Sequence, residues 1–342
     1  MNNMVILHAS HISNYTPPQG YGGTELVVDI LARYLVKRNF GIQVMGVKNP
    51  FTETPYHFVN VFEKPVKKPS IKNKTRYIAK LLMYSINVDI VHLHVQWLST
   101  AAPILRSLNK PVILTLHADI GEGLISQIVK KFDVKLIAIS HTQRERMESR
   151  GFRVYDMIYH GIEVEKYPFT KDKEDYLVYL GRIDYSKGVH IAVRVARKAG
   201  ERLVIIGPIA DEKYFEHYVK PYVDDNRIRY IGEVDFKTKI EYLSKAKAML
   251  YPVQYEEFFG IAMVEALVCG TPVIGFRRGS VKEIVKNGVT GYAVTSKDNM
   301  ISAIKNIDRI DPWECRKDVE KRFSAQAMVS RYEKMYWELL NR

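Results

Sequence analysis

The sequence is poor in cysteine and contains no long apolar run. Its two cysteines, Cys269 and Cys315, are too few for a disulfide framework or for a zinc cage. No apolar run reaches the ~18 residues that a membrane-spanning helix needs. The N-terminal residues lack the charged region of a secretory signal and have only a short apolar run. These absences lead us to expect a cytoplasmic protein.

Acidic residues are also in the minority. Lys and Arg number 51 against 38 Asp and Glu, which gives a net charge of +13. This balance favours polyanions, anionic membrane surfaces and phosphorylated small molecules alike, and charge alone does not choose among them. The 342 residues, 46% hydrophobic and 26% charged, have ordinary globular composition. Their number predicts two domains, because single cores stop growing near about 250–300 residues.

Short apolar, β-rich runs alternate with helical patterns, and this alternation occurs twice. In the first half it predicts strands at Val5–His8, Ile42–Val47, Ile90–His94, Val112–Leu116 and Leu136–Ile139, with helices at Glu25–Val36, Tyr77–Ile86 and Thr142–Ser149. In the second half it predicts strands at Tyr176–Leu180, Leu203–Ile206, Ile228–Ile231, Ala248–Tyr251 and Pro272–Gly275, with helices at Val189–Lys198, Phe215–Val223, Lys237–Ala246 and Ile261–Val268. Such alternation is typical of a parallel sheet covered by helices on both faces.

The sequence therefore predicts two Rossmann-like, doubly wound α/β domains. The polar stretch between His160 and Lys173 breaks the periodicity, and we place the domains at residues 1–162 and 163–324. The tail Ala325–Leu340 has the pattern of one amphipathic helix. Two facing sheets form a central cleft, and ligands of open α/β sheets bind beyond the carboxyl ends of the strands. Functional motifs are therefore expected in loops that follow strands.

A glycine pair follows the first predicted strand and precedes a helix. The segment Pro17–Glu25 contains Gly22 and Gly23, which let backbone approach a ligand closely, and free amides at a helix start suit a phosphate. The segment lacks the G-x-G-x-x-G spacing of a dinucleotide site and the Lys-Ser/Thr of a P-loop. The alternative is a plain turn that leads into the helix.

Two basic residues follow the first strand of the second half. Arg182 and Lys187 lie in the segment Gly181–Gly188. Arginine offers a planar fork of donors and lysine a point charge, and both suit phosphate oxygens. Solvated surface charges are the alternative.

Two glutamates lie on the most informative segment, which runs from a strand through a loop into a helix. Glu257 and Glu265 are separated by seven residues, and Gly260 lies between them. Amides near Gly260 and Ile261 would point out of the helix N-terminus. Glu265 has apolar neighbours, so its carboxylate needs a partner. That partner is either a vicinal diol such as a ribose or, as the alternative, a lysine or arginine in a structural salt bridge.

Two other features allow competing interpretations. His92 and His94 alternate on a strand, but no third zinc ligand is evident in the sequence, and a buried strand end or acceptor contact is preferred. The stretch Lys64–Lys80 carries seven basic residues and no acid. It is either a solvated face or a surface for anionic lipid or a phosphorylated acceptor.

Together these motifs resemble the retaining glycosyltransferases of family 4, which have the GT-B fold. In the second half the resemblance lies in YLGRIDYSKGV, IIGP, YIGEV and the stretch YPVQYEEFFGIAMVEALVCGTPVIGFRRGSVKEIVKNGVTGY, whose two glutamates match the E-x7-E motif. In the first half it lies in PPQGYGGTE, DIVHLH, LTLHAD and AISHTQRERM. The segment His160–Glu163 resembles the interdomain N-G-V-D, with His in place of Asn.

The resemblance implies a fold and an activity. The terminal helix, residues 325–342, would cross back to the first, acceptor-side domain, and the second domain would bind a nucleoside diphosphate sugar of the UDP, GDP or ADP type. A hexose would be transferred to an acceptor with retention of anomeric configuration. The sequence contains no D-x-D, so we expect no metal at the diphosphate and no cofactor, and positive side chains would take the role of the metal.

The resemblance also implies a role for each motif residue. Arg182 and Lys187 would hold the diphosphate, and Glu265 would bind the ribose diol. Glu257 and the backbone of Phe259, Gly260 and Ile261 would hold the sugar. Gly232, Glu233 and Val234 would lie along the base. Gly22 and Gly23 belong to the segment that would approach the diphosphate from the other domain. His117 matches a histidine near the sugar and the acceptor, although a histidine at a strand end is alternatively a structural residue.

Two other functions compete with a glycosyltransferase. Another GT-B enzyme, such as a nucleotide-sugar epimerase or a phosphorylase, shares the architecture, and fold alone does not decide between them. A non-enzymatic nucleic-acid binder would explain the charge. However, no recognition motif and no basic stripe interleaved with aromatics is present, so no nucleic-acid partner is expected. Peripheral attachment to an anionic inner membrane face through Lys64–Lys80 is compatible with the enzyme.

Overall fold

The computed structural model describes residues 4–20 and 22–341. The chain forms two units, divided after Gly161 and again after Ser324, so that the first unit includes the C-terminal helix. Each unit is built around one parallel sheet. Tyr21, which belongs to the glycine motif Pro17–Glu25, lies outside the described residues.

The first unit has a seven-stranded sheet and the second a six-stranded sheet, and neighbouring strands in both are parallel. The strands are β1 (Val5–Ala9), β2 (Gly41–Gly46), β3 (His57–Asn60), β4 (Ile90–Leu93), β5 (Val112–Thr115), β6 (Lys135–Ala138), β7 (Val154–Met157), β8 (Glu174–Leu180), β9 (Leu203–Ile206), β10 (Ile228–Gly232), β11 (Ala246–Tyr251), β12 (Val273–Phe276) and β13 (Gly291–Val294). Their orders are β3-β2-β1-β4-β5-β6-β7 and β10-β9-β8-β11-β12-β13. In each order the strand that starts the fold, β1 or β8, lies inside the sheet.

Helices lie between most successive strands, although none lies between β2 and β3 within the described residues. They are α1 (Gly23–Val36), α2 (Ile71–Ser85), α3 (Ala102–Ser107), α4 (Leu124–Lys131), α5 (His141–Ser149), α6 (Val189–Ala199), α7 (Glu212–Tyr218), α8 (Phe236–Lys245), α9 (Ile261–Val268), α10 (Val281–Ile284), α11 (Lys297–Ile304), α12 (Pro312–Arg322) and α13 (Ala325–Leu340). None of them, within the described residues, is long and apolar enough to cross a bilayer. The predicted pair of Rossmann-like domains is confirmed.

Three strands lack a clear sequence signal. β3, β7 and β13 lie at sheet edges, and each has a single buried residue. An edge strand has one neighbour and a partly exposed surface, so its sequence need not be a continuous apolar run. The helix predicted at Phe215–Val223 lies at Glu212–Tyr218 instead. Asp211 caps its start through the amide of Tyr214, and Pro221 lacks the N–H that would continue the helix.

The last helix packs on the first unit, as predicted. Tyr332 and Tyr336 of α13 are fully buried, and both hydroxyls bond to side chains at the sheet, those of Thr115 and His92 respectively. Arg331 also pairs with Asp156, at the end of β7, at 2.8 Å. These contacts bury the apolar face of the amphipathic helix α13. They hold it against the first unit, although the second unit separates the two in the sequence.

Candidate active site

The two most informative motifs meet at one edge of the second sheet. β8 and β11 are neighbours, and because parallel strands end at the same edge, the loops after them lie side by side. Lys187, in the loop after β8, therefore reaches Glu257, in the loop after β11, with Nζ 2.9 Å from Oε2. The structure thus brings together two predicted site residues that are 70 positions apart.

Glu257 is buried and heavily hydrogen-bonded. Its Oε2 accepts bonds from the hydroxyls of Tyr251 at 2.6 Å and Tyr255 at 2.7 Å, and its Oε1 accepts from the amide of Phe258 at 3.2 Å. Burial pushes the pKa of Glu257 up, but the charge of Lys187 and the tyrosine hydroxyls outweigh it, so the pKa is lowered. The carboxylate is therefore ionised and fixed in position.

Backbone geometry makes room for this carboxylate. Gly260, the residue before α9, has φ of 74°, and a Cβ there would lie 2.8 Å from the Tyr251 hydroxyl. Gly279 has φ of 53°, and a Cβ there would lie 2.1 Å from the carbonyl oxygen of Glu257. Both positions therefore require glycine. Gly260 precedes α9 and has no side chain to cap it, so within the described residues the amides at the start of α9 have no side-chain cap and suit a ligand.

Glu265 is buried on α9 and has two partners. The Tyr167 hydroxyl at 2.9 Å and Lys239 Nζ at 2.6 Å both bond to Oε1. The structural salt bridge, which is one of the two partners expected for Glu265 from the sequence, is therefore present. Because both bonds go to one oxygen, Oε2 remains an acceptor without a hydrogen bond from the residues that the structure describes.

The remaining predicted residues of the second unit lie at the same sheet edge. The Arg182 side chain is 45% exposed, and its Nη2 lies 3.5 Å from Asp184 Oδ2. Gly232 ends β10, two strands away from β8, and Glu233 is exposed while Val234 is half-buried. Phe259 is buried and Ile261 begins α9. Arg182 is therefore free of the tight contacts that hold Lys187.

The glycine motif opens α1 in the first unit. Gly22 precedes the helix without a side-chain cap, and a Cβ there would lie 2.6 Å from Asn14 Nδ2, whereas a Cβ on Gly23 would meet open space. Glu25 follows, buried in the first turn. Burial raises the pKa of Glu25, although a hydrogen bond to its own backbone opposes this. The helix start combines open amides with a buried carboxyl group.

A row of histidines lies at the carboxyl ends of β1, β4 and β5. His8 Nδ1 is 3.2 Å from His94 Nε2, and His94 Nδ1 is 3.0 Å from His117 Nε2. The ring of His160 stacks on that of His117 with centroids 4.9 Å apart. His92, beside the row, bonds the Tyr336 hydroxyl at 2.7 Å and Thr115 Oγ1 at 2.8 Å. The predicted residue His117 thus belongs to a cluster of five imidazoles.

The cluster revises the sequence argument about zinc. His8, His92 and His94 each offer a nitrogen, and these nitrogens lie within 4.8 Å of one another. His8 is the third candidate ligand. The sequence does not indicate it, because it is 84 positions from His92. The signal was its place at the end of a strand, the position shared by His92 and His117. Tyr251, Tyr255 and Gly279 around Glu257 are likewise visible only in the structure.

Family comparisons match both units. Residues 21–166 match the family described as Glycosyltransferase Family 4, and residues 163–324 match that described as Glycosyl transferases group 1. An uncharacterized glycosyltransferase of Methanocaldococcus jannaschii is 26% identical over 94% of this chain and 93% of its own. The N-acetyl-alpha-D-glucosaminyl L-malate synthase of Bacillus anthracis is 23% identical over 93% of this chain and 94% of its own.

Solved structures share the fold. Sucrose-phosphate synthase from Thermosynechococcus elongatus superposes with a TM-score of 0.85 at 18% identity, covering 99% of this chain and 100% of that one. The Anabaena protein HepE, crystallised with UDP and glucose, superposes with a TM-score of 0.80 at 16% identity, covering 98% and 100%. At these identities the likeness concerns the fold.

Proposed function

Because the chain belongs to glycosyltransferase family 4 and is a glycosyltransferase of the GT-B type, we propose that it transfers a hexose from a nucleoside diphosphate sugar to an acceptor, with retention of configuration. The observation that carries this proposal is the Lys187–Glu257 pair at 2.9 Å. It joins a cation suited to a phosphate with an ionised, buried carboxylate suited to sugar hydroxyls. We assign the pair to the point where the diphosphate meets the sugar.

The nucleotide would be held by three groups. Arg182, half-exposed and only loosely paired, offers its guanidinium to the diphosphate together with Lys187. Glu265 Oε2 accepts from the ribose hydroxyls while Oε1 keeps Lys239. Gly232, Glu233 and Val234 follow the base. Lys187 has Glu257 as a fixed neighbour and Glu265 has Lys239, which favours a preorganised site.

In the second unit, Glu257 and the amides of Phe259, Gly260 and Ile261 would bind the hydroxyls of the sugar. In the first unit, the role proposed for His117 is a hydrogen bond to a hydroxyl of the sugar or the acceptor, and the role proposed for Gly22 and Gly23 is to offer amides to a phosphate. When the sugar bond breaks, negative charge develops on the leaving phosphate oxygen, and Arg182 and Lys187 stabilise it. No metal and no cofactor are required in this proposal, because these cations supply the positive charge.

A nucleotide screen tests the proposal. HepE was crystallised with UDP, which makes a UDP sugar the first donor to try, with GDP and ADP sugars beside it. A ligand at 100 times its Kd stabilises the folded state by about 2.7 kcal/mol. We expect one nucleoside diphosphate to raise the unfolding temperature and the other two to do so less. No shift with any of the three would contradict the proposed donor class.

We also propose that the basic segment Lys64–Lys80 attaches the enzyme to anionic lipid. Lys64, Lys67, Lys68 and Lys72 are exposed, and no carboxylate of the described residues pairs with them. Ile71, at the start of α2, is 84% exposed among them. An amphipathic helix that offers apolar and basic side chains together is suited to an anionic membrane surface.

Vesicle pelleting tests this attachment. Phosphatidylglycerol vesicles should pellet the wild-type protein at low salt, and the variant with Lys64, Lys67, Lys68 and Lys72 changed to Glu should stay in the supernatant. A variant with four lysines changed elsewhere, at Lys198, Lys220, Lys317 and Lys334, controls for total charge. Equal pelleting of all three proteins would contradict attachment through this segment.

A further inference from the structure

The histidine row contains a directed chain of hydrogen bonds that ends on His117. His8 and His94 are buried, and their rings are joined by the 3.2 Å contact from Nδ1 to Nε2. His94 is joined to His117 by the same pair of atom types at 3.0 Å. Every link therefore uses Nδ1 of one ring and Nε2 of the next. His117 is half-exposed at the far end.

Two proton arrangements satisfy these links. A neutral imidazole carries one N–H and one lone pair, so each link needs a proton on only one side. Either all three rings carry the proton on Nδ1, and the chain donates from His8 toward His117, or all three carry it on Nε2, and the chain donates in reverse. The choice for one ring fixes the choice for the others.

The environment of His8 selects between the two. His8 Nε2 is buried and has no hydrogen-bond partner among residues 4–20 and 22–341. A proton there would be a buried N–H without an acceptor, and such orphaned donors are rare in folded proteins. A buried lone pair without a donor is better tolerated than a buried N–H without an acceptor. The proton of His8 therefore lies on Nδ1, and the whole chain donates toward His117.

We propose that His8 and His94 are positioning residues that hold His117 in its Nδ1–H tautomer, so that His117 meets the substrate as a neutral hydrogen-bond donor. This rests on the proposed contact of His117 with the sugar. His94 occupies the Nε2 lone pair, so His117 cannot act as a base through Nε2. No hydrogen bond from Nδ1 to another described residue competes for this donor. The expected partner is a hydroxyl oxygen of the sugar or of the acceptor.

Burial keeps the rings of His8, His94 and His117 neutral. Burial lowers the pKa of His8 to about 3, and burial first, with the neighbouring histidines second, lowers the pKa of His94 and of His117. The titratable groups that face the chain are His92, His160 and His11, with the hydroxyl of Tyr336 from α13 near His8. No carboxylate among the described residues pairs with these rings to favour their protonation.

Nitrogen NMR on the free protein tests the proposal without any substrate. Histidine labelled with ¹⁵N shows which ring nitrogen carries the proton, and a spectrum of His117→Gln assigns the His117 signal. The wild-type signal should show one tautomer, protonated on Nδ1, that persists between about pH 5.5 and 8. An Nε2–H tautomer, an even mixture or a charged ring at neutral pH would overturn the proposal.

Three variants separate positioning from general support of the fold. His94→Phe removes both hydrogen bonds and should leave His117 as a mixture of tautomers. His94→Asn places an amide N–H where His94 has Nδ1, and should restore the Nδ1–H tautomer. His92→Phe removes a buried histidine of the same cluster that is outside the chain. It should lower stability and leave the His117 tautomer unchanged. A shift of tautomer in His92→Phe as large as in His94→Phe would contradict the positioning role.

Metal analysis completes the experiment. If the purified protein holds stoichiometric zinc on His8, His92 and His94, two of the chain nitrogens are metal-bound and the hydrogen-bond relay is wrong. The relay predicts no such metal and spectra that do not change with EDTA. Because these measurements use no nucleotide, they can fail independently of the nucleotide screen, which tests the proposed function.

Discussion

At the scale of single residues, the Lys187–Glu257 pair combines a stabilising contact with a proposed role in binding. Glu257 is buried, accepts two tyrosine hydroxyls and is held by one lysine. Removing one partner of a buried pair leaves an uncompensated charge, so the loop after β11 depends on Lys187 and Glu257 for its own shape. In the proposed function the same contacts hold the carboxylate in place for a sugar.

Glu257→Gln should separate sugar binding from nucleotide binding. The change removes the negative charge but keeps the size, so we expect transfer to fall by about 10²-fold, the loss typical of one preorganised polar group. Binding of the nucleoside diphosphate alone should change little, because Glu257 is assigned to the sugar. Glu241→Gln, an exposed glutamate paired with Lys245, is the matched control. Equal activity of Glu257→Gln and the control would contradict the assignment.

Glu265 requires two variants because it is also half of a salt bridge. Glu265→Gln should weaken nucleoside diphosphate binding by about 1–3 kcal/mol, the value of a hydrogen bond to a charged group. Lys239→Met breaks the ion pair and keeps the carboxylate, so it should lower stability while binding persists. Calorimetric titration measures both variants. If both lose stability equally and neither loses affinity, Glu265 is a structural residue only.

The buried histidines predict sensitivity to acid. Burial lowers the pKa of His8 and of His160 from 6.5 to about 3. The unfolded chain therefore binds protons that the folded cluster excludes, and the free energy of unfolding falls as pH drops from about 6.5 toward 3. Each such histidine contributes a slope of about 1.4 kcal/mol per pH unit. Denaturant unfolding of wild type and His8→Phe at several pH values should show a shallower slope in the variant, and equal slopes would contradict the burial argument.

Site residues could be predicted from the sequence where they belong to a motif. Residues that join the site only through contacts in the folded chain could not. Arg182, Lys187, Glu257 and Glu265 follow from strand-loop-helix placement and from family resemblance. Their partners do not, because Tyr167 and Lys239 reach Glu265 from elements 98 and 26 positions away. Sequence spacing carries no signal for contacts that only the fold creates.

At the scale of elements, one contact that holds α13 is its hydrogen bond to the histidine cluster. The Tyr336 hydroxyl bonds His92 Nδ1 at 2.7 Å, in a fully buried site. Tyr336→Phe leaves that nitrogen without its partner, so the free energy of unfolding should fall by about 1–3 kcal/mol. Trp337→Phe, on the same helix with a side chain 45% exposed, should change it by less than about 0.5 kcal/mol. Denaturant unfolding compares the two, and equal losses would contradict the role of the hydroxyl.

Interior strands could be predicted because burial on both faces gives them continuous apolar sequences, as in Leu203–Ile206. Three edge strands, β3, β7 and β13, could not be predicted, because an exposed surface allows polar residues in a strand. The edge strand β10 could be predicted at Ile228–Ile231. α2 extends to Ile71 beyond the predicted start because Ser70 and Asn73 form a capping box there. Capping, rather than apolar periodicity, determines where this helix begins.

At the scale of the whole molecule, both units carry their candidate site residues at equivalent places. In each unit these residues lie at the carboxyl ends of parallel strands: histidines at the ends of β1, β4 and β5, and the Lys187–Glu257 pair in the loops after β8 and β11. Residues 21–166 match one glycosyltransferase family model and residues 163–324 match another. The fold follows from the alternation of elements. The donor and acceptor do not, since they depend on a few contacts with molecules that the sequence does not name.

The decisive measurement is a crystal structure with the nucleoside diphosphate selected by the thermal screen. We expect diphosphate oxygens within hydrogen-bonding distance of Arg182 and of Lys187 Nζ, with the ribose hydroxyls on Glu265 Oε2. A nucleotide bound elsewhere, or bound at this edge with its diphosphate turned away from both cations, would contradict it.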